Sequence, residues 1–547
     1  MIKLIKLIYQ VEFRNLYKII KLNQMKTYYD IHCHIFNKDV IIRKLVNVVQ
    51  SLLTIKDMID GPISEAEFEY QLNGINKTLL NVTKDTSEDV FKVLNSVYQG
   101  KVITTPLMFD LTYADDNDDE DHDNRRYRRR IKLTFWLMSS VIIPYIRRKA
   151  RRKFKNDKLT KAIDAMRDKV KEFNKSFEKK SDEEVEIFDN ANFGQQIEDL
   201  EYIAGKYKTV RPFFSVDPRR EYKGKINTIK NLEEKLLSAN AKFAGIKLYA
   251  PAGFSPTDPV LMGTPKQKGV YQFCVENKIP ITAHNSNAGF ACLSTILNVK
   301  GHVKSKNAIV KINGPIKFDN LFFSKHANEA IAERADTLNH PKLWEIVLKK
   351  YPDLTINFAH FGGSSQILEY VNYEINKKSI DVDIFENEIQ FLSKNDREII
   401  SSAFRKKRSK MLLRDDFTIT ERAEIWNAMY RAGFINNWTK AIFDLIKNPK
   451  YPNVYTDLSC FSSGTLLRSA ETNELTFSIK KELRTFKINF FDKLTAYEKS
   501  KILYGSDYFL AQFFGPTMER YFADFKEVFG SDFDSIASDN PKRFLND

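Results

Sequence analysis

Cysteine is scarce in this sequence: four in 547 residues, at Cys33, Cys274, Cys292 and Cys460. No CxxC pair exists among them. That leaves no disulfide framework or paired-cysteine metal motif, and it fits a reducing cytoplasm. A membrane-spanning run is missing as well. The apolar stretch at 133–146, LTFWLMSSVIIPYI, has fourteen apolar or neutral residues, fewer than the roughly 20 that cross a bilayer. The first 24 residues alternate basic and apolar side chains. They lack the apolar core and small-residue cleavage site of a secretory signal. They read either as a surface amphipathic helix or as a stretch ahead of a true start at Met25. There is no repeat of fixed period and no recognised nucleic-acid-binding module.

What is present is size, positive charge and a rhythm. The chain is 43% hydrophobic, enough for a large core, and one enlarged domain or two domains are both open on length. Its formal net charge is +15, but the excess lies in a few segments. Solvated charged loops account for it more simply than a dedicated anionic partner.

Eight apolar, β-rich runs recur, at residues 27–35, 101–110, 210–216, 243–248, 281–284, 355–360, 454–459 and 502–507. Helical patterns lie between several of them, as at 268–277, 341–350 and 438–447. Strands alternating with helices predict a closed parallel barrel. The expected fold is therefore α/β, a distorted (β/α)8 barrel over residues 27–547 behind an extension at 1–26. Two large, mainly helical insertions are expected, at about 111–205 and 364–435. The first opens with an acidic block running into a basic one, DDNDDEDHDNRRYRRR, and continues past the apolar run to RRKARRKFK. A helix packed on the barrel with charged, solvated ends is the favoured reading. Peripheral membrane contact through 125–155 is the alternative. The second insertion carries an amphipathic stretch at 387–402 and the basic run FRKKRSK at 404–410. Insertions of this kind lie over the mouth of a barrel, where they can act as a lid.

Four of the strand-like runs end in metal-binding side chains: DIHCH at 30–34, ITAH at 281–284, FAHFGG at 358–363 and YGSD at 504–507. In a parallel barrel the strand ends share one rim, so such residues can meet. Residues two apart on a strand face the same side. Asp30, His32 and His34 therefore align, and Cys33 points away. Two neutral imidazoles on one face can hold one ion, with Asp30 as an acceptor that orients a ligand histidine. His284 and His360 end their runs at equivalent points. Asp507 follows Gly505, which permits close backbone approach, and a carboxylate there can bind an ion, take a proton, or both. Lys247 ends the fourth run. It reads first as a charge partner for substrate or transition state, beside Tyr249. Arg211 and Asp217 are candidates for substrate contact; Asp217 and Arg219 equally fit a turn with a surface ion pair.

The strings DIHCHIF, GIKLYAPAGFSPTDP, VENKIPITAHNS, YPDLTINFAHFGG, VYTDLS and ILYGSDYF, in this order, resemble the amidohydrolase superfamily. The likeness is to its amidohydrolase-related branch, which includes aminocarboxymuconate-semialdehyde decarboxylase. The resemblance covers the chain from about residue 27 onward, apart from the insertions. It implies a divalent metal, most often zinc, with His32, His34, His284 and Asp507 as ligands. It implies that Asp507 accepts a proton from the nucleophilic water and that His360 positions or activates that water. A second ion is implied only if Lys247 is carboxylated. The expected activity is hydrolysis of an amide, ester or lactone of a small molecule by metal-activated water. Non-oxidative decarboxylation is the nearest alternative, and a non-enzymatic membrane or nucleic-acid binder is a more distant one. No specific nucleic-acid partner is expected.

Overall fold

In the computed structural model, all eight predicted runs contain a strand. The structure describes residues 26–35, 86–110, 138–178, 182–224, 226–292, 294–305, 308–319, 327–376, 435–461, 475–508 and 517–547. Short pieces within 59–73 and 381–430, and at 112–114 and 465–468, are also described. The predicted features at 1–25, 115–137 and 404–410, and nearly all of 387–402, lie outside these residues.

Strands β1 (Tyr28–Cys33) and β2 (Val102–Pro106) pair in parallel. Next come β3 (Phe213–Val216), β4 (Gly245–Leu248) and β5 (Ile281–Ser286). A hairpin follows, β6 (Ile296–Ser305) with β7 (Ala308–Lys317), then β8 (Ile356–Gly362). Two short pairs, β9 (Asp381–Val382) with β10 (Met411–Leu412) and β12 (Thr465–Arg468) with β13 (Leu475–Ser478), flank β11 (Val454–Asp457). The last strand is β14 (Ile502–Leu503). A six-stranded parallel sheet runs in the order β14-β11-β8-β5-β4-β3. The architecture is thus mixed α/β around a parallel sheet.

The β1–β2 pair touches both edges of that sheet. On one side Leu107 bridges Phe213 and Thr104 bridges Val210, both in parallel. On the other, Cys33 bridges Tyr508, and Ile31 N donates to the Tyr504 carbonyl at 3.3 Å. The strands of the six-stranded sheet are short and, where described, buried along their full length. This is why they read as continuous apolar runs rather than as alternating ones.

Two of the predicted helices sit at the predicted bounds. Pro341–Lys350 starts with proline at its first position, and the His340 ring accepts the Lys342 amide at 3.1 Å. Proline is suited there because the first amides of a helix have no internal partner. Trp438–Lys447 is capped by Asn437, whose side chain accepts from Lys440 N at 2.9 Å. It buries Trp438, Ala441, Ile442, Leu445 and Ile446. Both helices supply the apolar cover that a buried parallel sheet requires.

Helices Ile143–Phe154, Asp157–Glu178 and Asp182–Lys206 fill the described part of the first insertion. Met138, Ile143, Ile146 and Ala150 point into the main core together with Leu159, Ile163 and Met166. Ser364–Asn376 begins the second. Among the described residues no helix is long and apolar enough to cross a membrane. The β6–β7 hairpin was not expected. It buries Leu297, Val299 and Val303 in a small cluster of its own with Cys292, Phe318 and Leu338.

Candidate metal centre

Backbone pairing between β1 and the segment after β14 builds the first part of the site. Asp507 N donates to the His32 carbonyl at 2.7 Å, and His34 N donates to the Tyr508 carbonyl at 2.6 Å. Gly505 makes this approach feasible. A Cβ there would stand 2.8 Å from the His32 Cβ and 3.0 Å from the Ser459 Cβ. Four non-glycine residues at strand ends, His360, Phe361, Cys460 and Asp507, hold φ between 48° and 68°. Left-handed backbone at such residues costs of order 1–3 kcal/mol each, and such strain gathers at functional sites.

The side chains then converge. His34 Nδ1 lies 2.9 Å from the Leu107 carbonyl, and only an N–H can donate there. The proton is therefore on Nδ1, and Nε2 presents a lone pair. That Nε2 lies 3.3 Å from Asp507 Oδ1. His32 repeats the pattern. Its Nδ1 is 3.3 Å from Asp457 Oδ2 and 2.9 Å from Ser459 Oγ, so its Nε2 is the bare nitrogen, 3.4 Å from the same Asp507 oxygen. His32 Nε2 and Asp507 Oδ1 are both buried without any hydrogen-bond partner. The His32 lone pair thus faces a buried carboxylate oxygen with no proton between them, an arrangement that calls for a cation. Donors to a tetrahedral zinc at about 2.0–2.1 Å stand about 3.4 Å apart, so the two nitrogen–oxygen distances fit.

Asp457 organises the surroundings, and the residue reading of the sequence assigned it no role. Its Oδ2 accepts from Asn357 Nδ2 at 2.7 Å, and its Oδ1 accepts from His360 N and Ser459 N, each at 3.0 Å. Ser459 Oγ donates to Oδ1 as well. The signal in the sequence was the acid ending the VYTD strand. Asp457, not Asp30, is the carboxylate at the ring of His32, a candidate ligand. Asp30 instead accepts from Ser506 N at 2.9 Å, Ser506 Oγ at 2.6 Å and the Tyr98 hydroxyl at 2.8 Å. It fastens β1 to the turn that carries Asp507.

His360 and His284 sit beside this cluster. His360 Nδ1 is 2.9 Å from Ser459 Oγ, and its Nε2 is 3.0 Å from His284 Nδ1. With His32 and Asp457, His360 forms a second close group of metal-type donors. His284 does not join the group of His32, His34 and Asp507. Its Nε2 is 3.1 Å from the Ala288 carbonyl and its ring stacks on Tyr249 at 4.4 Å. Both its nitrogens are engaged, so binding an ion through His284 requires one of these hydrogen bonds to give way. Arg211 lies away from the site, half in solvent and paired with Asp547 at 3.1 Å. Asp217 and Arg219 form a buried pair at 2.6 Å, not a surface turn.

Lys247 is buried on β4. Burial pulls its ammonium down to about 8, against the attraction of Asp457 and Asp507. Burial, then the Lys247 charge, lowers His32 below its ordinary value. Burial and then His32 bring His360 down to about 4. Burial, His360 and Lys247 push His284 well below the usual range. His32, His284 and His360 are accordingly neutral at pH 7, the form that ligates metal. Burial would raise Asp507, but the imidazoles around it, His34 first and then His32 and His360, overcome it and hold the carboxyl below its usual range.

No family model matches the chain, and neither the curated proteins nor the solved structures compared with it include a match.

Two outcomes follow from this geometry. Asp457→Asn keeps the shape but removes the charge that holds the His32 tautomer, so zinc affinity measured by chelator competition falls about 10–100-fold. The second concerns pH. In the unfolded chain His360 titrates near 6.5, but in the folded chain near 4. Between those values the unfolded state binds more protons, so metal-free protein loses stability as pH falls through that window, by up to about 1.4 kcal/mol per pH unit for this residue. Asp30, pushed up to about 6 by burial, acts in the opposite sense, so the variant comparison is the clean measure. Urea unfolding of His360→Asn should show a shallower pH slope than the native chain, and an equal slope would count against a neutral buried His360.

Proposed function

We propose that the eight parallel strands form one distorted (β/α)8 barrel of the amidohydrolase type, and that the chain is a metal-dependent hydrolase. The barrel reading is supported by the bonds that join β1 to the β14 segment and the β2 segment to the β3 segment. These leave neither side of the six-stranded sheet unpaired. The observation that carries the function is the meeting of His32 Nε2, His34 Nε2 and Asp507 Oδ1, with the His32 and Asp507 atoms buried and unpartnered. Nitrogen and oxygen donors at this spacing favour zinc.

A divalent ion held there would act as a Lewis acid and bring the pKa of a water to about 7. The chain supplies the rest. Asp507 is ionised at neutral pH, so it can take the proton of the attacking water and return it to the leaving group. Lys247, with its charge sensed by His32, His284 and His360, stabilises the negative charge that develops on a carbonyl oxygen. His360 is neutral and anchored at Ser459, which suits it to orient the water. The substrate is a small molecule with an amide, ester or lactone bond. Lys247 also favours a second reading, non-oxidative decarboxylation, because a buried ammonium can hold a substrate carboxylate. The four unpaired cysteines support a reducing, cytoplasmic setting.

Elemental analysis of the purified protein, paired with assays on lactones, N-acyl compounds and esters and with a CO₂-release assay, tests this. About one equivalent of zinc is expected for a mononuclear centre, and about two if Lys247 is carboxylated. His32→Ala with His34→Ala should abolish both metal content and turnover. Metal-free native protein, or turnover that survives the double substitution, contradicts the proposal. CO₂ release without hydrolysis selects the decarboxylase.

A further inference from the structure

Helix Ile143–Phe154 is two-sided. Ile143, Ile146 and Ala150 are buried. On its flanks Arg147 pairs with Asp164 at 2.7 Å and Lys149 with Asp60 at 3.1 Å, while Lys153 Nζ donates to the Gly61 carbonyl at 2.5 Å. The outward face is different. Arg148, Arg151, Arg152 and the capping residue Lys155 are all exposed. None of the four makes an ion pair among the described residues. Their spacing, i, i+3, i+4 and i+7, puts them in one row along the helix. Arg151 and Arg152 suit the negative end of the helix dipole, but Arg148 lies above the last turn and gains nothing from it. Like charges three and four apart repel, so the row is a cost that no ion pair among the described residues recovers.

We propose that this row is a docking surface for an anionic lipid membrane. Guanidinium groups bind phosphate in a forked geometry, and a straight exposed row meets the planar array of headgroups. Val141, 47% exposed, stands just ahead of the row and offers an apolar contact to the layer beneath the headgroups. A nucleic acid is less well served. Single strands are held by exposed aromatic rings, and Tyr145, the ring on this helix beside the row, is partly buried with its hydroxyl committed to Asp60 at 2.7 Å. The contact is peripheral, because the helix keeps its own apolar face in the core.

The test is co-sedimentation of the full chain with phosphatidylcholine vesicles, with and without about 30% phosphatidylserine, at low salt and at about 0.5 M NaCl. Binding is expected only with phosphatidylserine and should weaken steeply with salt. Arg148→Ala with Arg151→Ala and Arg152→Ala should lower the partition coefficient roughly 100-fold, at about fivefold per residue. Lys230→Ala with Lys266→Ala and Lys450→Ala removes the same charge from exposed positions elsewhere and should leave binding nearly intact. Circular dichroism melts of both variants check that the fold is kept. The proposal fails if the native chain does not bind the anionic vesicles, if the first variant binds as well as the native chain, or if both variants lose binding equally. It also fails if the row retains duplex or single-stranded nucleic acid in a gel-shift assay but not vesicles.

Discussion

Two imidazole nitrogens and a carboxylate oxygen meet in the buried interior of this protein. Each imidazole has its Nδ1 committed elsewhere, His34 to the Leu107 carbonyl and His32 toward Asp457 and Ser459. Both Nε2 atoms lie against Asp507 Oδ1, and the one on His32 is buried without a hydrogen-bond partner. Bare acceptors facing one another in low dielectric are unfavourable without a positive charge between them. Much of the neighbouring structure holds this arrangement in place. Asp30 ties the first strand to the turn before Asp507, Gly505 admits the backbone close to His32, and left-handed conformations at His360, Cys460 and Asp507 turn three strand ends inward.

Asp457 is the second organising group. It binds Asn357 from one strand, the amides of His360 and Ser459, and the ring of His32. One carboxylate therefore fixes the tautomer of a candidate ligand and positions the neighbouring histidine. The electrostatics follow from burial with a small set of charges. Asp457 and Asp507 are negative, Lys247 is positive, and His32, His284 and His360 are driven neutral. A dication fits that balance, and so does a substrate that acquires negative charge as it reacts.

Much of the fold was legible in the sequence because a parallel sheet buried on both faces leaves continuous apolar runs. Most runs end within two residues of their strands, and proline marks the start of the helix at Pro341–Lys350. The β6–β7 hairpin escaped notice. Only two residues separate its strands, without an Asn-Gly or Asp-Gly signal, and it packs on a local cluster outside the main core. In the site, His32, His34, His360 and Asp507 were visible as metal-type residues at strand ends. Asp457 was not, because its importance lies in three partners from 32, 357 and 360, which only the folded chain brings together. His284 shows the reverse limit. Its position on β5 marked it correctly as near the site, but sequence could not show that Ala288 and His360 occupy its two nitrogens.

The most direct measurement is an anomalous-difference map from crystals grown with zinc, recorded on both sides of the zinc absorption edge. A single strong peak between His32 Nε2, His34 Nε2 and Asp507 Oδ1 is the predicted result. No peak there, or zinc bound only at surface histidines, would contradict the account.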